Sequence, residues 1–302
     1  IKWTNDADLL SVQYLNRHQN QLDLWLINPL KSQANLVLSE TDLAYVDVTD
    51  NLTFLQDNSF LWTSEKDGYN HLYHYSKNGK LKTQITKGDW EVTAYYGYNE
   101  FDNVIYYQSV ENGSINRDVY SVKLNGKRKK RLTTQEGTND ASFSADFTYF
   151  IKTFSSAKIP TKYTLNDSKT GRLVRNILDN STLLNSLNNY KYSNKEFSTI
   201  NVNGNELNMW MLKPVDFDAT KTYPLLMFQY SGPGSQQVSN KWNNSRDYCH
   251  QFLAQQGYVV ACVDGRGTGF KGADFKKVTY LNLVKYETED QIQAAKQIGS
   301  LS

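Results

Sequence analysis

Cysteine is nearly missing from this sequence. Only Cys249 and Cys262 occur among 302 residues, with no CxxC spacing and no histidine cluster beside them, so no metal site is expected. Both read as buried, unpaired thiols: Cys262 lies in the apolar run 259–263, and Cys249 would share a helical face with Phe252 and Leu253. Long apolar runs are missing too. None approaches the roughly 18 to 20 residues that cross a bilayer, and the opening Ile1-Lys2-Trp3-Thr4-Asn5-Asp6 lacks the apolar segment of a signal peptide. Nor does one sign of charge dominate. The 33 basic residues face 31 acidic ones, a net +2, which leaves no long-range field for phosphate backbones and sets nucleic acid aside as a partner. An initiating methionine is absent and nothing after Ser302 marks a natural stop, so the chain reads as a piece of a longer protein.

Aromatic and aliphatic side chains are plentiful. Hydrophobic residues make up 39% and aromatics 13%, enough for at least one substantial core. Up to about residue 190 they fall in short alternating runs broken at roughly 8- to 12-residue intervals by Asn, Asp, Gly and Lys, a strand-and-turn pattern. Residues 22–27, 71–75 and 118–122 are such runs, each followed by a turn and a second run. Val37, Ile85 and Leu132 recur at intervals of 48 and 47, and Tyr163 repeats Tyr120 after 43. A strand-only repeat of this length is what a four-stranded propeller blade gives, and about four blades are expected. Lys66-Asp67-Gly68-Tyr69 and Lys77-Asn78-Gly79-Lys80 read as hairpin turns within a blade.

From about Asn194 the pattern changes. Residues 209–212 read as a short apolar strand, 224–230 as a buried strand, 245–256 as a helix stopped by Gly257, and 258–263 as an all-apolar strand. Thr288 and Gln291 can form a capping box opening a last helix with Ile292, Ala295 and Ile298 inward. Strand, helix, apolar strand and helix begin an α/β sheet. The expected division is therefore 1–190, blades of a β-propeller, and 191–302, the first part of an α/β domain.

Candidate sites are few. Gly265-Arg266-Gly267-Thr268-Gly269 follows a strand but fits neither phosphate-loop spacing. Lys127-Arg128-Lys129-Lys130-Arg131 reads as a solvated hairpin. His18, His71, His74 and His250 have no evident nucleophile, and Gly-x-Ser-x-Gly does not occur, so no complete Ser-His-Asp set can be assembled. Asp264 is expected to tie the Gly265–Gly269 loop. Tyr230 differs, because it ends a strand and leads into Ser231-Gly232-Pro233-Gly234, where an α/β-hydrolase draws an oxyanion-hole donor. Spacing alone leaves an aromatic plug at a strand end equally open.

At these residues a family resemblance becomes specific. Tyr223-Pro224-Leu225-Leu226, Tyr230-Ser231-Gly232-Pro233-Gly234-Ser235-Gln236, Asp264-Gly265-Arg266-Gly267-Thr268-Gly269 and Glu287-Thr288-Glu289-Asp290-Gln291-Ile292 resemble successive landmarks of the dipeptidyl peptidase IV family of the prolyl oligopeptidase group. Asp67-Gly68-Tyr69-Asn70-His71-Leu72-Tyr73 and Thr86-Lys87-Gly88-Asp89-Trp90-Glu91-Val92 are similar to later blades of its propeller. The resemblance implies part of an eight-bladed propeller joined to an α/β-hydrolase, and a serine exopeptidase releasing N-terminal dipeptides with Pro or Ala second. It assigns Tyr230 as the oxyanion-hole donor and calls for no metal or cofactor. The nucleophile elbow would fall about a dozen residues beyond Ser302, and the glutamates holding the substrate ammonium upstream of Ile1. The chain as given would thus lack peptidase activity. The resemblance further implies a homodimer, periplasmic or extracellular and in some members membrane-tethered. The rivals are a non-catalytic propeller and hydrolase-like binding protein, and a tripeptidyl or acylaminoacyl peptidase.

Overall fold

The structure is a computed structural model and describes residues 1–242 and 245–300. Four four-stranded sheets come first. The first pairs β1 (Lys2–Trp3), β2 (Leu10–Leu15), β3 (Gln21–Asn28) and β4 (Gln33–Thr41) as an antiparallel meander. The second does the same with β5 (Thr53–Phe54), β6 (Phe60–Ser64), β7 (His71–Tyr75) and β8 (Leu81–Gln84). The third holds β9 (Val92–Asn99), β10 (Val104–Ser109), β11 (Asp118–Lys123) and β12 (Lys130–Arg131). The fourth holds β13 (Thr138–Phe143), β14 (Tyr149–Ser156), β15 (Ile159–Asp167) and β16 (Leu173–Leu178). These are propeller blades, strand by strand in chain order.

Alternation explains why the inner strands are buried on both faces. On β6 and β7, Phe60, Trp62, Tyr73 and Tyr75 join Leu22, Leu24 and Leu26 of the first blade in one core. Leu61 and Leu72, between them in sequence, turn to the opposite side and pack with Ile105, Tyr107, Tyr120 and Val122. A period of two thus feeds two cores at once, which is how stacked blades exclude water from both faces of a sheet.

The chain forms two compact units, Ile1–Tyr107 with Tyr120–Lys130, and Gln108–Val119 with Arg131–Ser302. The second contains the α/β portion. Its sheet has the order β17 (Glu196–Val202), β18 (Asn205–Leu212), β20 (Val259–Asp264), β19 (Leu225–Phe228), with β19 and β20 parallel and the other pairs antiparallel. Helices α2 (Ser245–Gln255), α3 (Ala273–Lys277) and α4 (Lys285–Gly299) accompany it, and α1 (Ser181–Leu187) precedes it.

Three expectations are corrected here. Cys249 is exposed, not buried, as is Phe252; α2 presents His250 and Ala254 to the core, about one residue round from the expected face. Helix α4 starts at Lys285, ahead of the expected capping box, so the Thr288 N–H already bonds the Val284 carbonyl as part of the helix. Its buried face is Asp290, Ala294 and Ile298, while Ile292 is exposed.

Candidate active-site scaffold

Tyr230 stands just beyond β19. That strand ends at Phe228, two residues before its expected end, so Gln229 and Tyr230 leave the sheet before the chain bends. The bend is closed by the Ser235 N–H bonding the Gly232 carbonyl at 2.9 Å, and Ser235 Oγ donates to the Tyr230 carbonyl at 3.0 Å. The phenol folds back over Gly232, where a Cβ would come within 3.1 Å of both Cζ and the hydroxyl oxygen. Tyr230 is 63% exposed, so it is no aromatic plug.

The bend is laced to the loop following β20. Gly234 N–H donates to the Gly267 carbonyl, and Gly269 N–H to the Ser235 carbonyl, each at 2.9 Å. A Cβ on Gly269 would lie 2.7 Å from the Gly234 carbonyl oxygen, so this approach of two backbones requires glycine. The glycine-rich loop therefore serves as a brace for the Tyr230 bend.

Asp264 plays a different part from the one expected. Its carboxylate accepts the Gln237 N–H at 2.9 Å and the Val238 N–H at 2.8 Å, fixing the chain that leaves the Tyr230 bend, and does not tie the Gly265–Gly269 loop. Burial pushes its pKa up to about 6, against the pull of those two N–H donors. The loop is held instead by Asp290, which is fully buried on α4. It accepts the Arg266 N–H at 2.7 Å and takes the Arg266 guanidinium through Nε and an Nη, the shortest contact being 2.7 Å. That pairing is charge-assisted and forked. Sequence reasoning missed Asp290; its position, four residues ahead of Ala294 on a helix whose start was misplaced, was the available signal.

A second support reaches the same bend from between β10 and β11. Arg117 donates to Gln236 Oε1 at 2.6 Å while Gln236 Nε2 donates to the Ser114 carbonyl at 2.8 Å, and the Arg117 guanidinium lies 4.1 Å from the Phe270 ring centroid. Ser114 Oγ in turn accepts from Asn208 Nδ2 on β18 at 2.8 Å.

Each histidine is placed by the element that carries it. His71 is fully buried and bonded to Thr86 and Gly88, and His18 is exposed. His250 packs against Trp210 and Phe228, ring centroids 5.3 and 4.9 Å away, and burial together with the Lys195 charge pulls its pKa down. Among the described residues no group of three or more His, Cys, Asp or Glu side chains is placed to hold a metal ion.

A family model for the dipeptidyl peptidase IV N-terminal region matches residues 1–161, and one for the prolyl oligopeptidase family matches residues 229–302. The chain belongs to the dipeptidyl peptidase IV family. Dipeptidyl peptidase 4 of Porphyromonas gingivalis, a solved structure, is 42% identical with a TM-score of 0.94, over 99% of this chain and 42% of that one. The protein named Probable dipeptidyl-aminopeptidase B in Arthroderma benhamiae is 34% identical over 95% of this chain and 33% of its own length. Its namesake in Phaeosphaeria nodorum is 32% identical over 98% and 34%. The chain thus spans about a third of the length of the curated relatives it matches. Membership in the dipeptidyl peptidase IV family agrees with the fold: propeller blades followed by the start of a hydrolase domain.

Proposed function

We propose that this chain supplies propeller blades, residues 1–190, and the first part of the catalytic domain, residues 191–302, to a serine exopeptidase that releases N-terminal Xaa-Pro or Xaa-Ala dipeptides. Tyr230 is the oxyanion-hole donor in this reading. The observation that carries it is the placement of an exposed phenol on a bend braced from two sides, by the Gly265–Gly269 loop and by Asp264. Among the described residues nothing hydrogen-bonds the Tyr230 hydroxyl, so its proton is free for a substrate oxygen. In acyl transfer, a serine attacks the carbonyl after the second residue, a histidine takes the serine proton and returns it to the leaving amine, and the carbonyl oxygen becomes an alkoxide. A phenol fixed in advance stabilises that alkoxide without reorganising, an interaction typically worth about 3 to 4 kcal/mol of barrier.

The 302 residues contain no Gly-x-Ser-x-Gly, so the nucleophile is not among them. The full-length protein would act as a homodimer in the periplasm or outside the cell, a reading that rests on family likeness. In the full-length enzyme Tyr230→Phe should lower kcat by about 10²- to 10³-fold on a Gly-Pro chromogenic substrate and leave KM nearly unchanged. A raised KM at undiminished kcat would remove Tyr230 from the oxyanion hole.

A further inference from the structure

The basic run 127–131 is only partly consumed by the fold. Lys129 Nζ lies 5.3 Å from the Trp90 ring centroid, and Arg131 pairs with Asp118 at 2.9 Å. Lys127 and Arg128 have no ion-pair partner among the described residues, and both line a cavity of about 660 Å³ together with Lys82, Lys123 and His74. Lys82 is shared with Asp57 at 3.7 Å, and Lys123 Nζ donates to the Asp102 carbonyl. The carboxylates nearest in kind, Asp57 and Glu100, line an adjoining hollow, and none lines this one.

His74 gives the cavity its chemistry. It is 5% exposed, on the face of β7 that carries Leu72, and its Nε2 lies 2.9 Å from Ser59 Oγ. Ser59 has one hydroxyl proton and donates it to Asp57, so its oxygen can only accept from the imidazole. That fixes the histidine proton on Nε2. Burial, with the Lys82 charge beside it, pulls the His74 pKa down, so the ring is neutral at neutral pH. Nδ1 is therefore a bare acceptor, without a partner among the described residues, in a wall whose charged groups are the cations Lys82, Lys123, Lys127 and Arg128 beside the neutral Thr83, Asn103, Leu124 and Asn125.

We propose that this cavity binds free hydrogen phosphate, with Lys82, Lys123, Lys127 and Arg128 taking its charge and His74 Nδ1 accepting its P–OH proton. The acceptor is what discriminates. Sulfate matches the shape and charge but carries no proton, and a phosphate monoester, with a second pKa near about 6, has mostly lost its own above neutrality. Each would leave Nδ1 unpaired.

Titration calorimetry on the 302-residue chain, near pH 7.5 and at low ionic strength, tests this with inorganic phosphate, sulfate and phenyl phosphate. Phosphate should bind saturably and about tenfold or more tighter than the other two. A Lys127→Gln, Arg128→Asn double variant should lose about tenfold or more of that affinity at an unchanged melting temperature. Asn suits the left-handed backbone of Arg128, whose φ is +56°, and both side chains are exposed. Equal binding of sulfate or phenyl phosphate, undiminished binding by the double variant, or no saturable binding of phosphate would each overturn the assignment.

Discussion

Asp264 sits where a carboxylate is costly, 3% exposed at the end of β20, and its two backbone donors only partly offset the lost hydration. Burial wins, raising its pKa from 3.8 to about 6. Between those values the folded chain holds a proton that the unfolded chain has released. This group's contribution is thus complete below about pH 4 and is lost as pH rises through about 6, on the order of 3 kcal/mol in all. Asp264→Asn removes the titration but sets an NH2 against one of the two N–H donors, costing about 1 to 3 kcal/mol. Urea midpoints should show the wild type ahead of the variant by most at pH 4, with the gap narrowing by pH 7. A gap that widens would mean that the ionised form is the one the fold prefers. The importance of Asp264 was legible from its place at a strand end. Its partners were not, because they are backbone groups 26 and 27 residues away, and no residue type advertises an N–H.

Helix α4 shows where local reading of an element fails. Thr288 and Gln291 have capping-box spacing, yet Gln291 Nε2 reaches across to the Val263 carbonyl at 2.8 Å and Thr288 is already inside the helix. Val284, the residue before the first turn, makes no side-chain cap and is held at φ +76°. A β-branched side chain crowds the backbone at positive φ, so nothing in its type announces a helix start. Helix α2 fails the same way for a different reason: His250 looks polar in sequence, but Trp210 and Phe228 receive its ring as an aromatic. The blade strands were legible because alternation and Asp-Gly or Asn-Gly turns are local signals that agree with each other. Since Val284 is exposed, Val284→Gly should relieve strain without opening a cavity. The expected gain is about 1 kcal/mol, or roughly a 2 °C rise in melting temperature by calorimetry. A fall would show that the valine side chain contributes packing that outweighs its backbone strain.

At the scale of the molecule, the change of pattern near residue 190 marks where alternation stops, whereas the physical contacts of the α/β portion begin much earlier in the chain. The segment Gln108–Val119 belongs to the same compact unit as Arg131–Ser302. Ile115 packs on the core of Trp210, Leu212, Val260 and Cys262, and its carbonyl accepts the Asn240 N–H at 2.8 Å. Ser114 and Arg117 hold Asn208 and Gln236. No local pattern could reveal this, because a loop between two blade strands looks the same whether it meets water or another element. A piece cut at 191–302 keeps β17 to β20 and the Tyr230 bend but loses all of these partners. Each buried hydrogen bond contributes about 1 kcal/mol, and one to a charged group up to about 3. The piece should therefore be at least about 3 kcal/mol less stable, which lowers the exchange protection of the Val260 and Val263 amides on β20 by about a hundredfold or more relative to the 302-residue chain. Equal protection in the two would mean that the loop only rests on the sheet, and that the sheet and the Tyr230 bend are self-supporting.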